Sequence, residues 1–338
     1  MNPLITIIQN DAQKISKEIN FQELGGKTII ITGASGLIGT YLLAALAGCR
    51  KKGVYANIIA IVQNPFPEYL SDFGKDVHFV QGDLADVNLI ASLGEADYII
   101  HAAGYGQPGK FMENPAKTIE LNTTCTNNLF KKLKQGGKFL FVSTSEVYSG
   151  LPNPPYREEQ IGMTNTTHPR SCYIEGKRCG EAIVNAWRQK GFDAKSARLS
   201  LAYGPGTKPG DARVLNSFIF RALKEGQITL MDQGLAKRTY CYVVDAVEIM
   251  WNILFFGKEP IYNVGGVSKT TIGDLAKKIG AYLNVPVHFP EGDNVLSGAP
   301  EDVSLDMSKV ENEFKKSVYI PLDEGLRNTI EWQRALYK

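Results

Sequence analysis

The 338-residue chain is 43% apolar, and its 37 Lys and Arg against 35 Asp and Glu leave a formal charge of +2. That composition marks a globular protein and excludes the large positive field by which nucleic acid is bound, while the length fits two closely packed lobes. Cys49, Cys125, Cys172, Cys179 and Cys241 are odd in number and scattered, with no Cys-x-x-Cys pair; this fits reduced thiols and a cytoplasmic protein rather than disulfides or zinc, and no metal is expected.

The apolar run Pro3 to Ile8 is short, has no basic segment before it and leads into Asp11 and Lys14, so it predicts neither a signal peptide nor a membrane span. Residues 1–26 read as an amphipathic helical extension with Ile7, Ile8, Ile15 and Ile19 available to pack. Lys27 to Thr32 is a buried β run, Leu37 to Ala47 a helix and Asn57 to Val62 a second β run, which makes a βαβ unit. Further strands are predicted at Val77 to Val80, Tyr98 to His101 and Lys138 to Ser143, with helices at Asn114 to Leu133 and Tyr173 to Gln189. The alternation points to an α/β fold with a Rossmann-type doubly wound parallel sheet. From about Gly204 the pattern loosens into Gly- and Pro-containing loops with helices at Val214 to Glu225, Val244 to Phe255 and Thr271 to Leu283. The expected organisation is an extension over 1–26 and a dinucleotide-binding lobe over 27–203. A smaller, mainly substrate-binding lobe follows over 204–338, from which the chain can cross back to the first.

Between the first strand and helix lies Gly33-Ala34-Ser35-Gly36-Leu37-Ile38-Gly39. Gly33 permits the tight turn, Gly36 lets the backbone approach a pyrophosphate, and Gly39 lets the helix pack on the sheet, with the first helical N–H groups, at Leu37 and Ile38, facing the phosphates. Glycines serving only a turn are the competing reading. Gln63 and Asn64 follow the second strand, where dinucleotide folds often hold an acid for the adenosine ribose. They can hydrogen-bond a ribose hydroxyl and bring no charge to a 2′-phosphate, so NAD is expected; Arg50 or Lys51, folding back, would admit NADP. Asp83 can face the adenine edge or stand as a solvated loop carboxylate. His101-Ala102-Ala103-Gly104 ends a strand with small residues, which suits close passage of the cofactor, with His101 satisfied in packing.

Tyr173 and Lys177 are four apart in Ser171-Cys172-Tyr173-Ile174-Glu175-Gly176-Lys177, a spacing that puts them on one helix face. There the ammonium can favour an ionised phenol, and such a phenol can take a proton from a hydroxyl as hydride leaves for a nicotinamide.

The motifs together resemble the extended short-chain dehydrogenase/reductases of the nucleotide-sugar epimerase, dehydratase and decarboxylase group, from about Lys27 to about Gln333. The glycine loop, Asp83-Leu84, His101-Ala102-Ala103, Asn122, Ser143-Thr144-Ser145-Glu146, Tyr173/Lys177, Tyr203-Gly204-Pro205, Tyr242-Val243-Val244-Asp245 and Tyr262-Asn263-Val264-Gly265 follow the family's order. The resemblance implies an NAD enzyme in which Leu84, Ala102, Ala103 and Asn122 also line the cofactor and Thr144 hydrogen-bonds the reacting hydroxyl. Thr144-Ser145-Glu146, with Arg170-Ser171-Cys172-Tyr173 and Glu175-Gly176-Lys177-Arg178, is similar to the UDP-glucuronate decarboxylases. These oxidise carbon 4, lose carbon dioxide and return the hydride, so Ser145 is placed at the substrate and Glu146 manages water or a proton beside carbon 5. A surface ion pair is the competing reading of Glu146. Arg213 and Arg238 match positions that approach the nucleotide diphosphate. Three departures accompany the likeness: Leu201 replaces an asparagine, Gln63 replaces an acid, and Ser297 to Pro300 lacks an arginine.

A carbon-4 epimerase, a net dehydrogenase/reductase and a non-catalytic nicotinamide sensor remain as alternatives. The family also implies a homodimer paired through the helices at Asn114 to Leu133 and Tyr173 to Gln189, where Ile183, Ala186 and Trp187 form an apolar stripe.

Overall fold

The computed structural model describes residues 3–291 and 302–337. Ser297 to Pro300, one of the three departures, lie outside the described residues. Helix α1 (Pro3–Glu18) is followed by β1 (Thr28–Thr32), α2 (Leu37–Arg50), β2 (Asn57–Val62), β3 (Val77–Gln81), α3 (Val87–Ser92) and β4 (Ala96–His101). Next come α4 (Pro108–Glu113), α5 (Pro115–Asn122), α6 (Thr124–Phe130), β5 (Leu133–Thr144), α7 (Ser171–Gln189) and β6 (Asp193–Leu199). The second half adds β7 (Ala202–Tyr203), α8 (Val214–Glu225), β8 (Ile228–Thr229), β9 (Lys237–Tyr242), α9 (Val243–Phe256), β10 (Ile261–Val264) and β11 (Ser268–Thr271). It closes with α10 (Ile272–Leu283), β12 (Val287–His288), β13 (Asp302–Val303), α11 (Ser308–Phe314) and α12 (Leu322–Leu336).

The main sheet has seven strands in the order β10-β6-β5-β4-β1-β2-β3, all parallel. Strands covered on both faces read as continuous apolar runs, and Ile29, Ile30 and Ile31 of β1 are wholly buried. The order reverses between β1 and β4, which places the binding crevice at the carboxyl ends of those strands. After β6 the chain lays down β7 and β9 of a smaller sheet, returns through α9 and β10 to the edge of the main sheet, and then completes the smaller sheet with β11 and β13. Helix α9 packs on β5 and β6 as well as on α1 and α2.

The helix expected over Asn114 to Leu133 is two helices, and Leu133 already belongs to β5. The break falls at Thr123, whose hydroxyl donates to the Ile119 carbonyl at 2.8 Å, while Thr126 donates to Asn122 O at 2.7 Å. Such hydroxyl bonds to the preceding turn compete with the helical ladder and bend it. In the expected dimer stripe, Trp187 stacks on Phe130 at 5.1 Å and 5° and donates to Asn127 Oδ1 at 3.0 Å. Ile183 packs against the same internal cluster, so of the three residues Ala186 alone is fully at the surface.

Helix α1 packs against α2, α9 and α12, with Ile8 and Ile15 wholly buried. Its Asp11 is 2% exposed and accepts the hydroxyls of Tyr41 at 2.8 Å and Tyr242 at 2.6 Å. Burial pushes the Asp11 carboxyl above its ordinary value, and the two hydroxyls partly offset this. Asp11→Ala leaves both buried hydroxyls without an acceptor, and each such loss costs about 1–3 kcal/mol. Denaturant unfolding of Asp11→Ala should therefore show a clear fall in stability at neutral pH; a variant as stable as the parent chain would mean that the extension is not tied down through this carboxylate.

Candidate active site

The crevice begins at the glycine loop. Gly33 has φ +69°, and a Cβ there would lie 2.7 Å from Ala102 O and 2.8 Å from Ala103 Cα. Gly39 is equally constrained, since its Cβ would meet the Gly33 carbonyl. Gly36 caps the 14-residue helix α2 without a side chain, so the first-turn N–H groups, including those of Leu37 and Ile38, are left for a ligand. Lys208, from the loop after β7, donates to the Ser35 hydroxyl at 3.2 Å. Burial and the charge of Lys110 push the Lys208 amine down.

The Ala102–Gly104 segment opposite this loop is fixed by His101. Its Nε2 faces the Leu121 carbonyl at 3.0 Å and therefore carries the proton, and its Nδ1 accepts the Thr32 hydroxyl at 2.7 Å. Thr32 Oγ1 in turn accepts the Ala103 N–H at 3.0 Å. Burial, then the nearby Lys177 charge, lowers His101 to about 3, so it is a neutral structural link.

Beyond Gly104, Asn122 donates to Thr118 O at 2.7 Å while its Oδ1 is buried without a partner. A Cβ on Gly104 would lie 3.8 Å from both that Oδ1 and Lys177 Nζ. Lys177 is 5% exposed, donates to Val142 O at 2.7 Å and lies 4.7 Å from the Phe141 ring centroid. Burial pushes its amine down to about 7, against the charge of Glu181. An orphaned amide oxygen, an ammonium with spare donors, a glycine cradle and a free helix N-terminus fit a dinucleotide.

Tyr173 lies on the same face of α7 as Lys177, which is 5.9 Å from its ring centroid. Burial, then the charge of Glu146, pushes the phenol up to about 12; a hydrogen bond with Thr144 and the charges of Arg170 and Arg213 act the other way. Thr144 ends β5 and accepts the Glu146 N–H at 3.2 Å, starting a 3-10 turn over Ser145–Tyr148. The Glu146 carboxylate is held by Arg170, with Nε 2.9 Å from Oε2 and a second contact from Nη2. Arg213 donates from Nη2 to Asp211 at 2.6 Å, and Gln107 donates to the same carboxylate at 3.2 Å. Burial alone would raise Asp211, but the hydrogen bonds and charge of Arg213 hold it below its ordinary value.

The structure thus brings Thr144, Glu146, Tyr173, Lys177 and Arg213 together. Arg238 lies on β9, where Tyr240, Asp302 and Asp232 face it. Asp83 accepts the Ala85 N–H at 3.0 Å and pairs with Lys117, and Leu84 is buried. Gln63 and Asn64 are exposed in the turn after β2. Arg50 is committed to Asp76 at the opposite end of that strand, with Nη1 3.1 Å from Oδ2 and Nη2 3.0 Å from the carbonyl. It does not fold back as an NADP anchor would need to. Sequence reasoning gave no role to Arg170, Phe111, Gln107 or Lys208. Only Arg170 carried a signal, as part of the motif leading to Tyr173.

Fold and site define an enzyme that moves hydride between a dinucleotide and a hydroxyl. The family model described as the NAD dependent epimerase/dehydratase family matches residues 29–265, and the chain belongs to that family. It is a nucleotide-sugar-modifying enzyme with NAD as its cofactor. It is 29% identical over 342 residues to UDP-glucuronic acid decarboxylase 1 of Xenopus tropicalis, covering 98% of this chain and 79% of that protein. Against UDP-glucuronic acid decarboxylase 6 of Arabidopsis thaliana it is 30% identical over 301 residues, covering 88% and 86%. An epimerase structure from Methanothermobacter thermautotrophicus superposes with a TM-score of 0.79 at 20% identity, covering 98% of this chain and 97% of that one. The UDP-glucose 4-epimerase of Thermotoga maritima, solved with UDP-glucose, gives 0.78 at 23%, covering 92% and 100%. At those identities the two structures speak for the fold.

A lysine pushed down to about 7 in the fold, against 10.5 ordinarily, costs stability below about pH 7, and the cost fades as pH rises toward 10.5. Lys177→Met should therefore melt no lower than the parent chain at pH 6 without NAD, with any advantage shrinking toward pH 10, and should lose most of the thermal shift that NAD produces. A melting point well below the parent's at pH 6 would show that Lys177 supports the fold rather than the cofactor.

Proposed function

We propose that the chain oxidises carbon 4 of a UDP-hexuronate and releases carbon dioxide, as a UDP-glucuronate decarboxylase. The observation that carries this reading is the convergence of the Thr144 hydroxyl and the Glu146–Arg170 pair on the Tyr173 phenol. The curated relatives named above point to the same substrate. NAD supplies the hydride acceptor and a positive charge that favours the ionised phenol. Tyr173 takes the proton of the carbon-4 hydroxyl, with Thr144 holding that oxygen, as the carbon–hydrogen bond gives up its hydride. The resulting 4-keto acid loses its carboxylate, and the electrons of the broken carbon–carbon bond move to the ketone oxygen as an enolate. Glu146 governs the proton that closes carbon 5, and Tyr173 returns its own proton to O4 when the hydride comes back. Arg213, beside the phenol, approaches the diphosphate.

Five free cysteines are consistent with a cytoplasmic setting. Among the described residues, no helix is long and apolar enough to cross a membrane.

Incubation with UDP-glucuronate should release carbon dioxide and yield a UDP-pentose by mass spectrometry, without stoichiometric NADH. Tyr173→Phe should reduce turnover by at least about 10²-fold while keeping the fold. Formation of an epimer, or build-up of NADH, would replace the decarboxylase reading with an epimerase or a net dehydrogenase.

A homodimer through α5 and α7 is part of the same proposal. With Trp187 turned inward, the face left to a second copy is Ile119, 44% exposed, with Cys179, Ala182 and Ala186 at helical spacing. Small residues there let backbones approach closely. Sedimentation should show a dimer that Ile119→Lys dissociates; a concentration-independent monomer for the parent chain would reject the pairing.

A further inference from the structure

Helix α4 packs against α5 and the catalytic helix α7 and is only six residues long. Its Phe111 is 1% exposed, and its ring stacks on Tyr173 at 4.6 Å with the planes 1° apart. These two rings and Cys172, with Tyr105 against them, form a core cluster of their own, separate from the two large ones. Support for the Tyr173 ring is therefore local and comes from α4. That segment is itself held: the Phe111 carbonyl accepts the Cys172 thiol at 3.4 Å and the Thr118 hydroxyl at 3.4 Å. Gln107, at the start of α4, is fastened to Asp211. Arg170, which holds Glu146, lies with its guanidinium 5.5 Å from the Phe111 ring centroid. One aromatic ring thus touches both the phenol and the group that orients the neighbouring acid.

We propose that Phe111 is a positioning residue for the oxidation step: its flat face fixes the plane of the Tyr173 ring and, through Arg170, keeps the Glu146 carboxylate in register with the phenol. The inference rests on the reading of Tyr173 as the proton acceptor. A tyrosine side chain is a rigid lever with its reacting oxygen at the far end, so a tilt too small to disturb the fold still displaces that oxygen. Stacking between parallel rings resists such a tilt, whereas an aliphatic side chain of similar volume fills the space and leaves the ring free to rock.

The test compares Phe111→Leu, Phe111→Tyr and Tyr173→Phe with UDP-glucuronate carrying hydrogen or deuterium at carbon 4. A misplacement of about 1 Å costs about a hundredfold in rate, so Phe111→Leu should lower kcat by that order. Its KM and NAD affinity should stay within about twofold. The isotope effect on kcat should grow, because hydride transfer becomes limiting. Phe111→Tyr, which keeps the flat ring, should restore kcat. If Phe111→Leu does not fold, Phe111→Met takes its place. The proposal is overturned by wild-type kcat in Phe111→Leu, by an equal loss in Phe111→Tyr, or by a loss that only follows a lowered melting point. Turnover surviving in Tyr173→Phe would instead remove the reading of Tyr173 on which the proposal rests.

Discussion

The buried ion pair between Glu181 and Arg198 is the constraint on which the catalytic geometry depends. Glu181 is one turn beyond Lys177 on α7, and Arg198 lies on β6; they are 6% and 2% exposed and meet at 2.8 Å, with further contacts at 3.0 and 3.2 Å. The pair does not end in itself. Glu181 accepts the Ser143 hydroxyl at 2.5 Å, the residue before Thr144, and Arg198 donates to Tyr148 Oη at 2.9 Å at the end of the turn that carries Glu146. Tyr148 donates in turn to Asn263 on β10 at 2.7 Å. One knot therefore fixes the end of β5, the Glu146 turn, α7 and the strand by which the second half of the chain rejoins the sheet. Burying two charges gains little net stability, but removing one partner of such a pair costs about 3–5 kcal/mol. Its value here is a single arrangement of the four elements.

What could be read from the chain follows from how local the cause is. The glycine loop was legible because a strand, a turn and a helix start occupy one stretch, and the Tyr173/Lys177 face because helical spacing alone decides it. The break at Thr123 was not legible, since periodicity in apolar residues is silent about hydroxyls that bond back to the preceding turn. Trp187 was misassigned for a related reason: a helical stripe shows that a face is apolar, and only the tertiary placement of Phe130 and Asn127 shows what covers it. The partners of the site residues lay further out of reach. Asp211 holds Arg213 from two residues away, but Gln107 joins that carboxylate across 104 positions, and no pattern announces it. Phe111 falls in a segment for which the sequence predicted no element, and no pattern there marks its ring as a neighbour of Tyr173.

Leu201, one of the departures from the family pattern, sits in an unusual backbone conformation. It has φ +45°, a left-handed conformation in which asparagine is common and leucine is not. The neighbouring sheet holds it there, with its carbonyl accepting the Cys241 N–H at 3.3 Å and Arg213 Nη1 reaching Ala202 O at 3.4 Å. The left-handed turn is thus held by backbone bonds while the side chain offers no hydrogen-bonding group. In the proposed function, recognition at that point is left to backbone and to the Arg213–Asp211 pair, so the redox core and the substrate contacts would vary independently.

The same separation appears in the electrostatics. Burial drives Tyr173 up to about 12 and Lys177 down to about 7, the reverse of what proton abstraction by the phenol at neutral pH needs. Compensation is only partial: Thr144 hydrogen-bonds the phenol, while Lys177 spends one donor on Val142 O, and Glu181, the acid that favours its charge, is engaged by Arg198. In the proposed function both groups are therefore tuned by what enters the crevice, where the orphaned Asn122 oxygen and the free N-terminus of α2 would receive a dinucleotide. Burying the pair with only partial compensation, from Thr144, Arg170 and Arg213 on the phenol and from Glu181 on the amine, leaves the rest of the acid–base tuning to the cofactor in the proposed reaction.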